Sequence, residues 1–344
     1  FNLFPQLLVD QRGQRNLTEV RYIENSFRLA TFRAAGAAGR LVNAASVQRD
    51  VLEVGLTHRY NDIYQEPRDS VVNNLLLTGR IGLRPSERLR LLVDAQLNLL
   101  DQLTDYRVAA DIFFDLGGAG RLEGKFINQR YRPSLFQTTY RLSGQDLWQT
   151  DFTPTLETNL TANYMVPGVR IRLGAGYTLL NNYVYFDSTG RVQQSGSPVS
   201  IVQFTAERDL RFGAFHLDNR VLLQTVDSEV LPLPRLVGEH SLYYTGFWFK
   251  VLNVRLGFDL RYTNDFRAAY YNPVVQQFTL QDRSTTGFTP QVDAFFAMRV
   301  TKFRFFAKME QLNTVWNDQL FYLTADYPYP DAALRLGISW RLLD

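Results

Sequence analysis

The sequence predicts an all-β protein: a closed antiparallel transmembrane β-barrel of about 16 strands (14 to 18), with short periplasmic turns and long extracellular loops. Three observations predict it. Period-two alternation recurs from Val51 to the C-terminus in segments about ten residues long, while helix-period patterns are scarce. The connections between segments alternate short and long. One face of each segment is apolar and the other charged, because successive side chains of a strand point to opposite sides.

Composition narrows the alternatives. The chain has 344 residues with 37 Lys+Arg against 34 Asp+Glu, a formal charge of +3, and 14% of its residues are aromatic. Such a chain can bury enough apolar surface to fold. The absence of cysteine excludes disulfide scaffolds, thiolate zinc sites, iron–sulfur clusters and cysteine nucleophiles. The net field is weak and the basic residues are scattered, so no nucleic-acid partner is expected. No window approaches the roughly 18 apolar residues of a membrane helix, and the mean hydropathy is −0.20. A barrel hides in such an average, since its strands alternate lipid-facing and lumen-facing residues. The chain starts at Phe1 with no basic region and apolar run behind it, which reads as a mature or trimmed product.

Residues 1–344 read as one barrel domain, with 1–25 a periplasmic tail, a plug or the first strand; Phe27, Leu29 and Thr31 suggest a strand. Leu75, Leu77, Ile81 and Leu83 alternate with Arg80 and Arg84, and Leu91 and Val93 with Arg90 and Asp94. Val108, Ile112 and Phe114 oppose Arg107 and Asp111, and a further strand runs from Arg121 to about Gln129. Val169, Ile171 and Leu173 oppose Arg170 and Arg172; Phe215, Leu217 and Val221 oppose His216, Asp218 and Arg220. Val254, Leu256 and Phe258 oppose Arg255, Asp259 and Arg261, and Val292 and Phe296 oppose Asp293 and Arg299. Phe303, Phe305 and Met309 oppose Arg304, Lys308 and Glu310, and the last strand sets Leu334, Leu336 and Ile338 against Arg335 and Arg341.

Short connections fall at Pro85 to Glu87, Gly117 to Gly120, Pro167-Gly168, Arg211 to Gly213, Lys250 to Asn253 and Thr301. Long ones fall near Asn61 to Asn73, Tyr131 to Thr153, Asn181 to Pro198, Asp227 to Val237, Asn264 to Gly287 and Thr314 to Asp331. Outer-membrane barrels keep that alternation in step, and a soluble sandwich has no reason to. About 21 residues per strand and connection give about 16 strands, a size that leaves an aqueous channel.

An Arg or Lys at the lipid midplane costs about 2 to 4 kcal/mol and little in a water-filled lumen, so the charged face points inward. The pore-lining candidates are therefore Arg80, Arg90, Asp94, Arg107, Asp111, Arg170, Arg172, Asp218, Arg220, Arg255, Asp259, Arg261, Asp293, Arg304, Lys308, Glu310 and Arg335. Their basic excess points to a mild anion preference. The competing reading is that Arg–carboxylate pairs brace the wall. Aromatic residues such as Tyr243, Tyr244, Phe247 to Phe249, Tyr270 and Tyr271 gather at strand ends and loops, as in the girdles of a barrel; for the Tyr270-Tyr271 loop a sugar-stacking platform is the other reading.

The run Asn182-Tyr183-Val184-Tyr185-Phe186-Asp187, Gly213 to Asn219, Ser241-Leu242-Tyr243-Tyr244, Lys250-Val251-Leu252 and Tyr270-Tyr271-Asn272-Pro273 form a set. With Tyr327-Pro328-Tyr329-Pro330 leading into Leu334 to Trp340, the set resembles the porin family of the Bacteroidetes outer membrane, from about Tyr140 to Asp344. The resemblance implies a single outer-membrane barrel that conducts solutes. Many barrels end on an aromatic residue, whereas this chain ends Arg341-Leu342-Leu343-Asp344, with Trp340 as the substitute signal.

Catalytic and metal chemistry find little footing. His58, His216 and His240 lie in separate strands without zinc-site spacing, so no metal and no cofactor is expected. His216 and Asp218 share a strand face and with a serine could make a triad, but a hydrogen-bonded lumen histidine is the expectation. No nucleophile elbow or phosphate-binding loop occurs, and the loop acids Asp227 and Glu229 read as solvated charge. The expectation is a non-enzymatic passive channel for small hydrophilic solutes, in contact with outer-membrane lipid and lipopolysaccharide. The alternative is a structural or assembly barrel that is plugged and docks a secretion or uptake partner; on either reading a second copy or other outer-membrane proteins are the further partners expected.

Overall fold

The computed structural model describes residues 15–31, 51–100, 105–288, 290–315 and 322–341. In chain order the strands are β1 (Thr18–Thr31), β2 (Val51–Gln65), β3 (Arg68–Leu83), β4 (Leu89–Asn98), β5 (Tyr106–Asp115), β6 (Arg121–Tyr131), β7 (Thr139–Leu142) and β8 (Gln145–Gln149). They continue with β9 (Thr155–Val166), β10 (Ile171–Asn181), β11 (Val184–Phe186), β12 (Val192–Gln194), β13 (Val199–Phe212), β14 (Phe215–Val226), β15 (Leu236–Trp248) and β16 (Leu252–Thr263). The last are β17 (Tyr270–Asn272), β18 (Gln277–Thr279), β19 (Gln291–Val300), β20 (Phe303–Glu310), β21 (Tyr322–Thr324), β22 (Tyr327–Pro328) and β23 (Ala333–Trp340). Fifteen of them form one sheet in the order β1-β2-β3-β4-β5-β6-β9-β10-β13-β14-β15-β16-β19-β20-β23; the other eight pair as four small hairpins in the long connections. Every sheet strand thus neighbours the next one along the chain, as antiparallel up-and-down topology requires.

The chain divides into two compact units, Phe1–Ala162 with Gly176–Ser200, and Asn163–Ala175 with Ile201–Asp344. In the first unit β1 and β2 pair in unbroken register from Thr18 opposite Gln65 to Thr31 opposite Leu52. This places part of the 1–25 segment in the first strand; residues 1–14 lie outside the described residues. The expected long connection near Asn61 to Asn73 is corrected. Strands β2 and β3 stay paired up to Gln65 opposite Arg68, so only Glu66 and Pro67 turn, and the extra length is ladder rather than loop. The opposite strand end closes tightly after β5, where the Gly117 amide donates to the Asp115 carboxylate at 2.8 Å and Gly120 takes φ 118°, open to glycine alone at low cost.

In the second unit the turns after β13, β15 and β19 take two or three residues, with Gly213, Phe249, Lys250 and Thr301 at positive φ. One expectation is corrected here, and one strand that the connections only bracketed is made explicit. Strand β10 begins at Ile171, so Val169 belongs to the single three-ten turn before it and Arg170, at φ 51°, closes that turn. And β13, which the alternation did not single out, is a full strand of 14 residues. Glycine fits where strands crowd: a Cβ on Gly257 would clash with the Leu242 carbonyl oxygen.

Burial is inverted relative to a water-soluble sandwich. Apolar-face residues such as Phe204, Leu242, Phe258 and Ile338 are half or more exposed, while much of the buried apolar set sits in the loop hairpins. In the first unit Val184, Phe186 and Val192 are buried against Trp148 and Phe152, and Trp148 stacks on Tyr140 at 4.8 Å. In the second unit Ala268, Val275 and Ala325 are buried, and the Gln281 amide ties its loop by donating to the Ala268 and Ser284 carbonyls at 2.8 and 2.7 Å.

Candidate functional site

Cross-strand register assembles the polar side chains into transverse rows on one face of the sheet, because residues directly opposite in an antiparallel pair share a face. In the first unit Glu53 faces Arg80, Arg80 faces Asp94, and Gln96 faces Arg107. Arg80 Nε donates to Asp94 Oδ1 at 2.6 Å, and Arg28, Glu53, Arg80, Asp94 and Arg107 border one groove of about 630 Å³. Asp111 faces Lys125. The Arg90 guanidinium lies over the Phe113 ring, 4.3 Å from its centroid, so this charge rests on an aromatic face.

In the second unit one row reads Glu207, Arg220, Glu239, Arg261 and alternates in sign. Arg220 bridges Glu207 at 3.0 Å and Glu239 at 3.8 Å. The next row reads Asp209, Asp218, Ser241, Asp259, Asp293, with carboxylates on directly opposed positions of β13 and β14 and of β16 and β19. Ser241 Oγ donates to Asp259 at 2.6 Å, and buried Asp293 meets Lys308 at 2.8 Å and accepts the Gln311 amide at 2.9 Å. The first of these rows, with Asp209, Asp218, Ser241 and Asp259 of the second, lines a groove of about 650 Å³. Glu310 pairs with Arg335 at 2.7 Å. Arg304 faces Arg299.

Two expectations change at this wall. Arg170 is a turn residue, and its carbonyl accepts the Asp209 amide at 3.3 Å, so it stands outside the alternation. Arg255 keeps to the β16 face of Asp259, with its guanidinium 3.9 Å over Tyr243 and 5.6 Å from the Phe295 centroid. His216, expected as a hydrogen-bonded lumen histidine, stacks parallel on Tyr243 at 4.9 Å, its buried Nδ1 without a hydrogen-bond partner among the described residues, and the nearby Ser241 donates to Asp259. The wall also holds acids that sequence reasoning left out: Glu53, Glu207, Asp209 and Glu239. In β13 the run Glu207-Arg208-Asp209-Leu210-Arg211 charges both faces and hides the period, although Ala206 and Leu210 on the other face carried the signal.

A sheet with one charged face and one exposed apolar face fits a wall between water and lipid. A family model described as a putative porin matches residues 3–344. The chain belongs to the putative porin family. A comparison with curated proteins finds no match. Among solved structures the chain is similar to a ferric enterobactin receptor of Pseudomonas aeruginosa, with a TM-score of 0.68 and 11% identity over 94% of this chain and 54% of that one. It is also similar to the siderophore receptor PirA of Acinetobacter baumannii, with TM-score 0.63 and 11% identity over 94% and 55%. A third is the ferripyoverdine receptor of the Pseudomonas aeruginosa outer membrane, with TM-score 0.61 and 10% identity over 95% and 49%. This porin-family chain spans about half the length of the receptors it matches, and at such identity the likeness shows the fold. Family and fold together place it in the bacterial outer membrane as a β-barrel protein.

Proposed function

We propose that the chain closes into a barrel through which small hydrophilic solutes diffuse passively, with a mild preference for anions. The observation that carries this reading is the pairing of a charged face with an exposed apolar one in both units, which suits a hydrated lumen inside and lipid and lipopolysaccharide outside. Among the described residues the sheet has fifteen antiparallel strands, an odd number, so antiparallel closure takes one more, in keeping with about 16 from length alone. The preference is mild because Arg80, Arg220, Lys308 and Arg335 are neutralised by carboxylates, whereas Arg172, Arg299 and Arg304 have no ion pair among the described residues.

Single-channel recording of the purified chain in a planar bilayer under asymmetric salt tests it. Steady conductance with a reversal potential toward that of the anion is expected; a potential on the cation side removes the preference. The alternative is a plugged barrel that docks a secretion or uptake partner. It draws support from the buried loop core of the first unit and from a fold neighbour described in complex with a pyocin. A silent barrel with a stable co-purifying subunit would favour it.

A further inference from the structure

In the first unit the connection between β6 and β9 does not stay beside its own strands. Its hairpin, β7 with β8, bonds instead with the chain at β1, β2 and β3, which neither β6 nor β9 adjoins in the sheet. Arg141, 7% exposed, pairs with Asp146 and donates from Nη1 to the Gln65 carbonyl at 3.2 Å. Gln65 Nε2 donates to the Thr139 carbonyl at 3.4 Å, and Asn16 Nδ2 donates to the Arg141 carbonyl at 2.8 Å. The Ser143 amide donates to the Arg15 carbonyl at 2.7 Å, and the Arg15 amide to Ser143 Oγ at 3.1 Å. Arg68 stands 3.8 Å from Asp146.

Two features make this more than a loop at rest. The docking side chain Gln65 shares its sheet face with Glu53 and Arg59, which face Arg80 and Glu24, so the hairpin sits on the charged side and not the apolar one. And the hairpin is buttressed from behind: Tyr140 and Leu142 are buried, and Trp148 meets Phe186 of the β11–β12 hairpin at 5.8 Å. Beside the hairpin's backbone hydrogen bonds to Arg15 and Asn16, the buried Arg141 guanidinium is the charged part of the contact, and loss of Asp146 would leave that charge without its carboxylate.

We propose that the β7–β8 hairpin is a latched strap that narrows the solute path at the long-loop end, and that Arg141 and Asp146 set whether it is down. The inference rests on the channel reading above. The chain has no cysteine, so a variant carrying Arg15→Cys and Ser143→Cys can form one disulfide and no other, and the exposed Arg15–Glu66 pair it sacrifices contributes little. The latch is removed separately by Asp146→Ala and by Arg141→Met, the second keeping apolar packing beside Tyr140. Heat-modifiable gel mobility certifies that each variant has assembled.

In planar bilayers the single-channel conductance of either latch variant is expected to rise roughly twofold over the unaltered chain. The same variant carrying the oxidised disulfide should return to the original level, and reduction should raise it again. Equal, steady conductance in every form overturns the strap and leaves the channel standing. Silence in every form overturns the channel and the strap with it.

Discussion

At the scale of single residues, the argument turns on which side of a strand each side chain occupies. Phe258 and Asp259 are neighbours in β16, yet Phe258 is 51% exposed on the apolar face while Asp259 accepts from Ser241 on the charged one. Phe258→Arg should therefore cost about 2 to 4 kcal/mol near mid-membrane and lower the assembled fraction, whereas Asp259→Asn keeps an acceptor for Ser241 and should assemble normally. Heat-modifiable gel mobility after refolding reads both; equal assembly of the two variants would undo the assignment of faces. One polar cluster on the apolar side is self-sufficient. His240 lies with Nδ1 2.8 Å from Asn219 Oδ1 and Nε2 3.1 Å from the Tyr262 hydroxyl, so three groups that lipid cannot satisfy are satisfied by one another. Sequence reasoning could not place that trio, because it is made by register across β14, β15 and β16, and register is a long-range property.

At the scale of elements, loops hold themselves through local hydrogen bonds, and one is built around a carboxylate. Asp187, between β11 and β12, accepts from the Thr189 amide and hydroxyl at 2.9 and 2.6 Å, from the Arg191 amide at 3.0 Å and from Gln193 at 3.2 Å. Burial pushes its carboxyl up, but the hydrogen bonds from Thr189, Arg191 and Gln193 outweigh it and hold the group below the usual carboxylate range. A depressed folded value means the stabilisation is complete above the unfolded pKa and is lost as pH falls through the folded one. Protection from hydrogen exchange in residues 184–194, taken relative to the intrinsic rate at each pH, should thus be high at neutral pH and fall as pH drops below the usual carboxylate range, and Asp187→Ala should lower it at neutral pH. Unchanged exchange in that variant would show the hairpin held by Val184, Phe186 and Val192 alone. Such elements are faint in the sequence. The strands were legible where one face is uniformly apolar, as in β10, β16 and β23, and illegible in β13, where Arg208 charges the apolar side. The β2–β3 ladder read as a long loop because Asn61, Asp62, Asp69 and Asn73 carry turn chemistry while the register continues through them.

At the scale of the whole molecule, the placement of buried residues decides where the chain can fold. Alternation revealed the sheet and its up-and-down order, because period two is local; it could not reveal that Glu207, Arg220 and Glu239 compensate one another, because pairing depends on which strands are neighbours. With Phe204, Phe215, Leu223, Leu242, Phe258, Leu334, Leu336 and Ile338 all more than half exposed, the sheet gains little from burial in water. An apolar side chain is worth about 1.5 to 3 kcal/mol when removed from water, and here that gain comes only from an apolar medium around the sheet. The loop hairpins, by contrast, carry Tyr140, Phe186, Val192 and Val275 in cores of their own. Dilution from denaturant into buffer without detergent should therefore give aggregated chain lacking heat-modifiable mobility, and dilution into detergent micelles or short-chain lipid should give the compact form. Circular dichroism and gel mobility read the two together. A monomeric β-rich chain in plain buffer would mean that the exposed apolar face is covered by protein and not by lipid, and would turn the reading of the outer wall over to a partner.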